Sequence, residues 1–317
     1  MDLFGQHFRL ELFGASHAPF IGVTLRDVPA TLPLSPDDFT TDLLRRKSGA
    51  PGTTTRIEDD LPQIEDRRDT DGTLTIRFAN RNYRDEDYKD FTDIPRPGHA
   101  DFVAMARYGS LRDGWFSGRM TLPLVAAGVV AKRLIAPTLV EAQLTEVGGV
   151  AAAETEAVAQ ALEAAAREGD SLGGIVECRC TGVPVGLGEP FFDSLESLLS
   201  HAIFSIPGIR GIEFGDGFAA ARMTGSTHND PFIDAEGHTA RNGAGGINGG
   251  LSNGNPVVFR VAVKPTSSIR KPQRTFDFAH GCLTDYSVPG RHDVCFALRV
   301  PPVVEAVTAC VFANLIL

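Results

Sequence analysis

Three histidines lie in predicted loops beside glycine or proline. A histidine in such a loop more often has a functional role than a place in the hydrophobic core. The three are His17 in G-A-S-H, His99 in R-P-G-H-A-D and His292 in G-R-H-D. An imidazole changes its charge near neutral pH, so these residues are candidate acids or bases. Any one of them could instead cap a turn, but three in similar settings favour an acid–base site. None has metal-motif spacing, and no metal is predicted.

Two basic segments offer binding sites for anions. R-R-K at 45–47 follows a predicted helix and continues through hydroxyl-rich residues to Arg56, and K-P-T-S-S at 264–268 follows a predicted strand. Guanidinium groups, hydroxyls and backbone amides together can surround a phosphate or a carboxylate. The first cluster could equally be a solvated helix end, where the helix dipole favours positive charge.

A glycine-rich segment spans residues 242–255 and holds six glycines in fourteen residues. It precedes no predicted helix and lacks Gly-Lys-Ser/Thr, so it matches neither the dinucleotide fingerprint nor a P-loop. Two interpretations remain open. One is an ordinary hairpin, and the other is a backbone that approaches a flat ligand closely because no Cβ stands in the way.

Composition narrows the class of protein. The 317 residues include 30 Lys and Arg and 40 Asp and Glu, a net charge of -10, which argues against a nucleic-acid-binding protein. The sequence shows no apolar run long enough to span a membrane, no signal-peptide pattern and only five cysteines. We therefore expect a reduced, cytoplasmic protein without membrane partners. Cys178 and Cys180, two apart in a predicted strand, are expected in the core.

Hydrophobic periodicity and capping residues predict the elements that position these loops. Helices are predicted over residues 35–46, 125–135, 153–170, 191–204 and 301–317. Strands are predicted over residues 8–13, 21–28, 74–78, 175–183 and 255–265.

A weak internal repeat relates the two parts of the chain. G-x-S followed by V-P-x-x-L occurs from Gly14 and again from Gly169, and P-G-H-A-D at 97–101 has a counterpart, P-G-R-H-D, at 289–293. The repeat predicts one domain, residues 1–317, whose two halves bring both histidine motifs into a central cleft. The predicted halves are residues near 1–150 and 151–317.

Nine short segments carry a family resemblance over nearly the whole chain. They are G-Q-H-F-R (5–9), G-A-S-H (14–17), R-P-G-H-A-D (96–101), G-D-S-L-G-G (169–174), G-V-P-V-G-L-G-E-P (182–190), S-I-P-G-I-R-G-I-E-F-G-D-G-F (205–218), A-G-G-I-N-G-G-L-S-N-G (244–254), K-P-T-S-S-I (264–269) and G-R-H-D (290–293). In this order the chain resembles the chorismate synthase family.

The resemblance implies an α+β fold, the β-α-β sandwich of that family, and a homotetramer. It implies a lyase that removes phosphate and a ring proton from 5-enolpyruvylshikimate-3-phosphate in a 1,4-trans elimination. The product, chorismate, ends the shikimate pathway of aromatic amino acid biosynthesis. The implied cofactor is reduced FMN, although the reaction involves no net oxidation or reduction.

The resemblance also implies roles for residues that match the family's motifs. The implied catalytic residues are His17, His99, Ser16 and Asp293. The implied substrate-binding residues are Arg45, Arg46 and Arg119. The implied cofactor-binding residues are Ser117, Thr227, His228, Gly249, Lys264, Pro265, Thr266, Ser267, Ser268 and Arg291.

The chain departs from the family pattern close to the implied site. Ala15 stands where the family has glutamate, and Trp115 and Phe116 stand where it has arginine and serine. An alternative is therefore a catalytically impaired homologue that binds an anionic small molecule and has weakened flavin binding. A third possibility, a flavin reductase that uses NAD(P)H, has no dinucleotide fingerprint in the sequence to support it.

Overall fold

The computed structural model describes residues 3–82, 91–111 and 114–317. Strands are numbered in chain order. The first sheet contains β1 (Leu3–Phe4), β2 (Arg9–Gly14), β3 (Phe20–Arg26), β4 (Gln63–Arg67) and β5 (Thr73–Ala79). Its antiparallel order is β1–β2–β3–β5–β4. In β5, Leu74, Ile76 and Phe78 alternate with less buried residues and are fully buried, as the period of a strand requires.

Four neighbouring strands of the second sheet have the same relative order as β2–β3–β5–β4 of the first. The second sheet contains β6 (Leu139–Val147), β7 (Val150–Ala151), β8 (Gly174–Thr181), β9 (Ile209–Phe214) and β12 (Val257–Val263). Its antiparallel order is β7–β6–β8–β12–β9. Two small hairpins pair β10 (Ile247–Asn248) with β11 (Leu251–Ser252), and β13 (Gln273–Asp277) with β14 (Cys282–Tyr286).

Two helices form the layer between the sheets. The helices are α1 (Thr40–Arg46), α2 (Asp101–Tyr108), α3 (Thr121–Leu134), α4 (Thr155–Glu168), α5 (Leu195–Ile203), α6 (Gly225–His228) and α7 (Pro301–Ile316). Helix α3 packs on β3 and β5, α7 packs on β6 and β8, and the two helices contact each other. Helix α7 is buried on all sides as far as Ala313, which explains why its apolar residues show no single face.

The approach of α3 to α7 depends on one glycine. A Cβ on Gly128 would lie 2.2 Å from the Cβ of Ala306. A larger residue at Gly128 would therefore push the two central helices apart.

Most of the predicted helices and strands are present, but their first and last residues differ from the predicted ones. The helix predicted over 35–46 begins with a 3-10 turn, Pro36–Phe39, before α1. The sequence did not predict the elements α2, β4, β6, β9, β13 and β14. The glycine-rich segment 242–255 contains the β10–β11 hairpin.

The five cysteines are free thiols. Cys178, Cys180, Cys295 and Cys310 are buried, as expected for the first two, and Cys282 is exposed on β14. Within the described ranges, no helix is both long enough and apolar enough to cross a membrane.

Candidate active site

An open cleft lies where loops from both parts of the chain meet. Its walls come from residues 16–17, 48–60, 96–99, 116–119, 207–208, 264–268 and 291–299. All three predicted histidine motifs, G-A-S-H, R-P-G-H-A-D and G-R-H-D, contribute to it, including the two that the internal repeat relates. The cleft is therefore built by loops that follow or precede the buried strands and helices of the core.

The turn after β2 brings Ser16 and His17 to the cleft. The side-chain amide of Asn80 donates hydrogen bonds to the carbonyls of Ala15 (3.1 Å) and Ala18 (2.7 Å). Ser16 is fully buried. The turn is thus held from both ends, and His17 stands on a fixed backbone.

Gly114 closes the cleft against His17. A Cβ on Gly114 would lie 2.9 Å from Nδ1 of His17 and 2.9 Å from Cβ of Ser16, and the backbone φ of Gly114 is +85°. Only glycine accepts that combination without strain. The loop that departs most from the family pattern therefore lies directly against the first histidine.

His99 belongs to a buried charged cluster. Its Nδ1 lies 2.7 Å from Oδ1 of Asp101 and 2.9 Å from Nη2 of Arg96. Burial lowers the pKa of His99, Asp101 opposes that effect, and Arg96 and Lys264 add to it. The ring is therefore mainly neutral at pH 7, its Nδ1 is held by these two partners, and the side chain lines the cleft.

Positive charge predominates in the cleft although the protein is acidic overall. The basic side chains that line it are Arg56, Arg96, Arg119, Lys264, Arg291 and Arg299. The carboxylates that line it are Glu58, Asp60 and Asp293. Among the described lining residues this is an excess of three positive charges, which fits a ligand that carries several negative charges.

Arg119 presents a hydrogen-bond donor that the described residues do not satisfy. Its Nε donates to Oδ1 of Asn80 at 3.1 Å, and its Nη1 donates to Oδ1 of Asp60 at 2.5 Å. Its Nη2 is buried without a partner among the described residues. Buried donors are nearly always paired, so Nη2 is a candidate contact for an anion.

A chain of hydrogen bonds connects the G-A-S-H loop to the G-R-H-D loop. Arg56 donates from Nη1 to Oγ of Ser16 at 3.1 Å and from Nη2 to Oε1 of Glu58 at 2.8 Å. Glu58 accepts from the backbone of Asn82, whose side chain accepts from Nη1 of Arg291 at 3.2 Å. The two loops are thus fixed relative to each other.

Asp293 is held by both backbone and side-chain donors. Its Oδ1 accepts from the amide of Thr54 at 2.8 Å, and Arg299 donates to both carboxylate oxygens at 3.2 Å. These contacts keep the carboxylate at the wall of the cleft.

The segment after β12 supplies further donors. Nζ of Lys264 donates to the carbonyl of Gly98 at 2.8 Å and contacts Oγ of Ser267. Burial lowers the pKa of Lys264, and Arg210 adds to this effect. Within the described chain, Oγ1 of Thr266 and Nε of Arg291 are buried without hydrogen-bond partners.

Aromatic rings form apolar walls beside these donors. Phe116, 36% exposed, and Phe296 both line the cleft. A Cβ on Gly118 would lie 2.7 Å from the ring of Phe296, so the ring lies directly against the 117–119 backbone. The cleft therefore combines flat apolar surfaces with charged donors.

Comparison with known proteins identifies the family. A family model described as chorismate synthase matches residues 8–317. The chain belongs to the chorismate synthase family.

Individual relatives agree with this assignment. A chorismate synthase of Chitinophaga pinensis is 55% identical, over 100% of this chain and 97% of the relative. One of Opitutus terrae is 38% identical, over 98% of this chain and 95% of the relative. A solved chorismate synthase structure, 22% identical, has a TM-score of 0.74 and covers 98% of this chain and 92% of its own. Together they confirm the α+β fold and the shikimate-pathway lyase function, and do not favour the impaired homologue.

Most residues that the chorismate synthase resemblance implies line the cleft. They are Ser16, His17, His99, Ser117, Arg119, Lys264, Pro265, Thr266, Ser267, Ser268, Arg291 and Asp293. Arg46 lies behind the cleft, where Nε donates to Oγ1 of Thr121 at 3.1 Å. Burial lowers the pKa of Arg46, and the neighbouring charge of Arg299 adds to this effect.

Four implied residues lie elsewhere. Arg45 points away from the cleft and forms two hydrogen bonds of 2.7 Å with Glu305. Thr227 and His228 lie on α6, where Nδ1 of His228 is 3.2 Å from Asp216. Gly249 lies in the turn between β10 and β11.

The cleft also contains residues to which the sequence assigned no role. Glu58 and Asp60 belong to the stretch R-I-E-D-D that follows the first basic cluster. Acidic residues at alternate positions beside arginines were the available signal, because buried arginines need carboxylate partners. Arg299 had one signal: it follows P-G-R-H-D as Arg119 follows P-G-H-A-D, and each arginine precedes an apolar helix. Phe296 gave no comparable signal.

Proposed function

We propose that the protein converts 5-enolpyruvylshikimate-3-phosphate to chorismate and phosphate by 1,4-trans elimination, with reduced FMN as cofactor. The observation that carries the proposal is a cleft whose described lining residues include two histidines and an excess of three positive charges, in a protein of net charge -10. The substrate has two carboxylates and a phosphate, so its charge has the sign that this excess attracts.

Arg119 is the proposed first contact for an anionic group of the substrate. Its Nη2, which has no partner among the described residues, is a charge-assisted donor, and such donors bind anions more strongly than neutral donors do. Arg46 supports it from behind, since its hydrogen bonds go to Thr121 and to the carbonyl of Gly118. We assign Arg46 a supporting role because its side chain is only 1% exposed.

His17 is the proposed acid that protonates or hydrogen-bonds the departing phosphate. A positioned acid of this kind contributes about 10²–10⁴-fold to a rate. His99 is neutral, so its Nε2 can accept or donate a proton at the cofactor. Ser16 and Asp293 are the proposed route for the proton removed from the ring, and hydrogen bonds from Arg56, Thr54 and Arg299 hold them in place.

The donor set fits a flavin phosphate and ring. Thr266 Oγ1 and Arg291 Nε are buried donors without described partners, and Lys264 and Ser267 lie beside them. Together with Ser117, Pro265 and Ser268 they would hold FMN. When bound, reduced FMN supplies electron density as phosphate leaves and takes it back as the ring proton departs.

A second copy of the chain is the proposed source of the remaining cofactor contacts. Thr227, His228 and Gly249 do not line this cleft, yet they match the family's flavin-binding segments. Several aromatic side chains are exposed in a way that favours burial between copies. They are Phe102, Phe191, Phe192, Phe218 and Phe232. We propose a homotetramer, and light scattering that gives a single-chain mass would contradict it.

The proposal includes one domain of two related halves. In the first, α1 lies between β3 and β4, and α3 follows β5; in the second, α5 lies between β8 and β9, and α7 follows β12. The second sheet begins with β6 at Leu139, so this comparison supports a boundary before residue 150. Free, mostly buried cysteines support a cytoplasmic location.

The function is tested by anaerobic phosphate release from 5-enolpyruvylshikimate-3-phosphate with reduced FMN. We expect turnover by the wild type and a loss of about 10²–10⁴-fold in His17→Ala and in His99→Ala. His238→Ala, in an exposed pair with Asp234, is the matched control and should retain full activity. A wild type that binds substrate yet releases no phosphate would refute the proposal.

A further inference from the structure

Asp60 is a carboxylate in the cleft to which the proposed reaction gives no task. Its side chain is 5% exposed and lies between two buried arginines, with Oδ1 at 2.5 Å from Nη1 of Arg119 and Oδ2 at 3.5 Å from Nη1 of Arg46. Its backbone φ is +57°, in the left-handed region, which aspartate, asparagine and glycine adopt more readily than other residues.

The charge of Asp60 works against the proposed ligand. A carboxylate in an anion-binding cleft lowers the attraction for a second anion, so electrostatics alone predicts tighter binding without it. Asp60 compensates the charge of two buried arginines, but this role does not explain how it affects the binding of a ligand to Arg119.

Hydrogen-bond geometry supplies that explanation. Arg119 is planar, and two of its three nitrogens are held: Nε by Asn80 at 3.1 Å and Nη1 by Asp60. Fixing two nitrogens of a planar guanidinium fixes the direction of the third. That third nitrogen, Nη2, is the buried donor without a partner among the described residues.

We propose that Asp60 is a positioning residue, which together with Asn80 holds Arg119 so that Nη2 is preorganised for an anionic group of the substrate. This inference rests on the proposed function, because it takes Arg119 as a substrate contact. Preorganisation removes the entropy that a free guanidinium would lose on binding.

Two substitutions separate position from charge. Asp60→Asn removes the charge but keeps an oxygen acceptor, and asparagine tolerates the left-handed backbone. Asp60→Gly removes the same charge and the acceptor, and glycine also accepts this backbone. Asp59→Gly is the matched control, because Asp59 is 68% exposed and pairs only loosely with Arg81, at 3.5 Å.

Binding is measured by calorimetric titration of 5-enolpyruvylshikimate-3-phosphate into each folded protein, with melting temperatures recorded alongside. We expect Asp60→Asn to bind at least as tightly as the wild type. We expect Asp60→Gly to bind about tenfold or more weakly, because the donor is no longer held. Asp59→Gly should match the wild type. The effect of Asp60→Gly should largely disappear in an Arg119→Lys background.

Tighter binding by both Asp60 variants would show that Asp60 acts through charge alone and would overturn the proposal. Equal weakening by both would overturn it too, since the retained acceptor would then have no effect. If the wild type does not bind this substrate, the proposed function fails instead, and the same comparison with inorganic phosphate still tests Asp60.

Should Asp60→Gly not fold, wild-type protein decides the question. Selective arginine labelling, with Arg119 assigned by comparison with Arg119→Lys, reports rotation of its guanidinium by NMR. Slow rotation in the ligand-free protein supports the proposal, and rotation as fast as that of an exposed arginine overturns it.

Discussion

At His99, a carboxylate and a guanidinium lie close to the same ring nitrogen. Burial alone would raise the pKa of Asp101, but hydrogen bonds from Arg96 and His99 outweigh it and hold this pKa well below its usual range. The Asp101 carboxylate favours a proton on Nδ1 of His99, whereas the Arg96 guanidinium, which can only donate, favours a bare Nδ1. The proton position on the ring therefore depends on the balance between these two neighbours.

Asp101→Asn should lower the pKa of His99 further. The carboxylate that opposes burial is lost, while Arg96 and Lys264, which both lower the pKa, remain. The pH below which the ring is protonated therefore moves down, as an NMR titration of the histidines would show. Asp277→Asn is the control: it removes the partner that raises the pKa of exposed His280 and should shift only that residue. An unchanged His99 titration in Asp101→Asn would contradict this account.

Adjacent arginines show the limit of sequence reasoning at this scale. Arg45 and Arg46 were predicted together as substrate contacts, yet successive residues on a helix point about 100° apart. Arg46 turns toward Thr121 beside the cleft, and Arg45 turns toward Glu305, 260 positions along the chain. The motif identified the basic cluster, but the distant carboxylate that binds Arg45 gave no local signal.

At the scale of elements, the closest helix contact predicts a large effect of a small change. Gly128→Ala should lower the free energy of unfolding by about 1–3 kcal/mol, because the added methyl group overlaps Ala306. Alanine is more favourable than glycine in a helix by about 1 kcal/mol. The substitution is therefore destabilising only if the packing overlap costs more than this gain. Gly225→Ala, which meets open space in α6, is the control. Urea unfolding measures the free energy of unfolding of both variants. A Gly128→Ala variant that is more stable than the wild type would contradict the prediction and would mean that the helices separate easily.

Glu305 joins α7 to three other elements. Its carboxylate accepts from Arg45 of α1 and Lys132 of α3 at 2.7 Å, and from the amide of Ala142 in β6 at 2.8 Å. Burial alone would raise the pKa of Glu305, but the hydrogen bonds and charges of Arg45 and Lys132 outweigh it and keep the pKa below its ordinary value.

Glu305→Ala should cost about 3 kcal/mol or more of stability at neutral pH, because buried donors lose their acceptor. Since the folded-state pKa is lowered, this stabilisation is complete above the unfolded carboxyl value of 4.5 and is lost as the pH falls through the folded value. The stability difference between wild type and Glu305→Gln should therefore shrink below pH 4.5. Glu141→Gln, at an exposed position of β6, should show no such change.

Elements with strong periodicity were predictable, and weaker ones were not. Helix α4 has apolar residues at helical spacing and ends at Gly169, whose φ of +69° caps it. In β6, Val140, Ala142 and Leu144 alternate with polar residues, but alanine and glutamate are poor strand formers and weaken the signal. The β13–β14 hairpin packs little of its surface, so no buried face marks it.

At the scale of the whole molecule, net charge and local charge have opposite signs. The chain carries -10, while the part of its cleft that the structure describes carries an excess of three positive charges. Sequence alone established that basic residues must be gathered locally. Which of them share the cleft depended on how α3 and α7 bring the two sheets together, because Arg119 and Arg299 each precede one of these helices.

The positions of the five cysteines should leave the native protein with one thiol that reacts rapidly with thiol-directed reagents. Cys282 alone is exposed, whereas burial raises the pKa of Cys310 to about 12 and also raises that of Cys295. Thiolates react and buried thiols do not, so Ellman's reagent should find one fast group in native protein and five after denaturation. A second fast thiol would contradict the packing. A maleimide dye would thus label the β13–β14 hairpin without any substitution in the sequence. The slow rate at which the four buried cysteines react would then report how often the core opens.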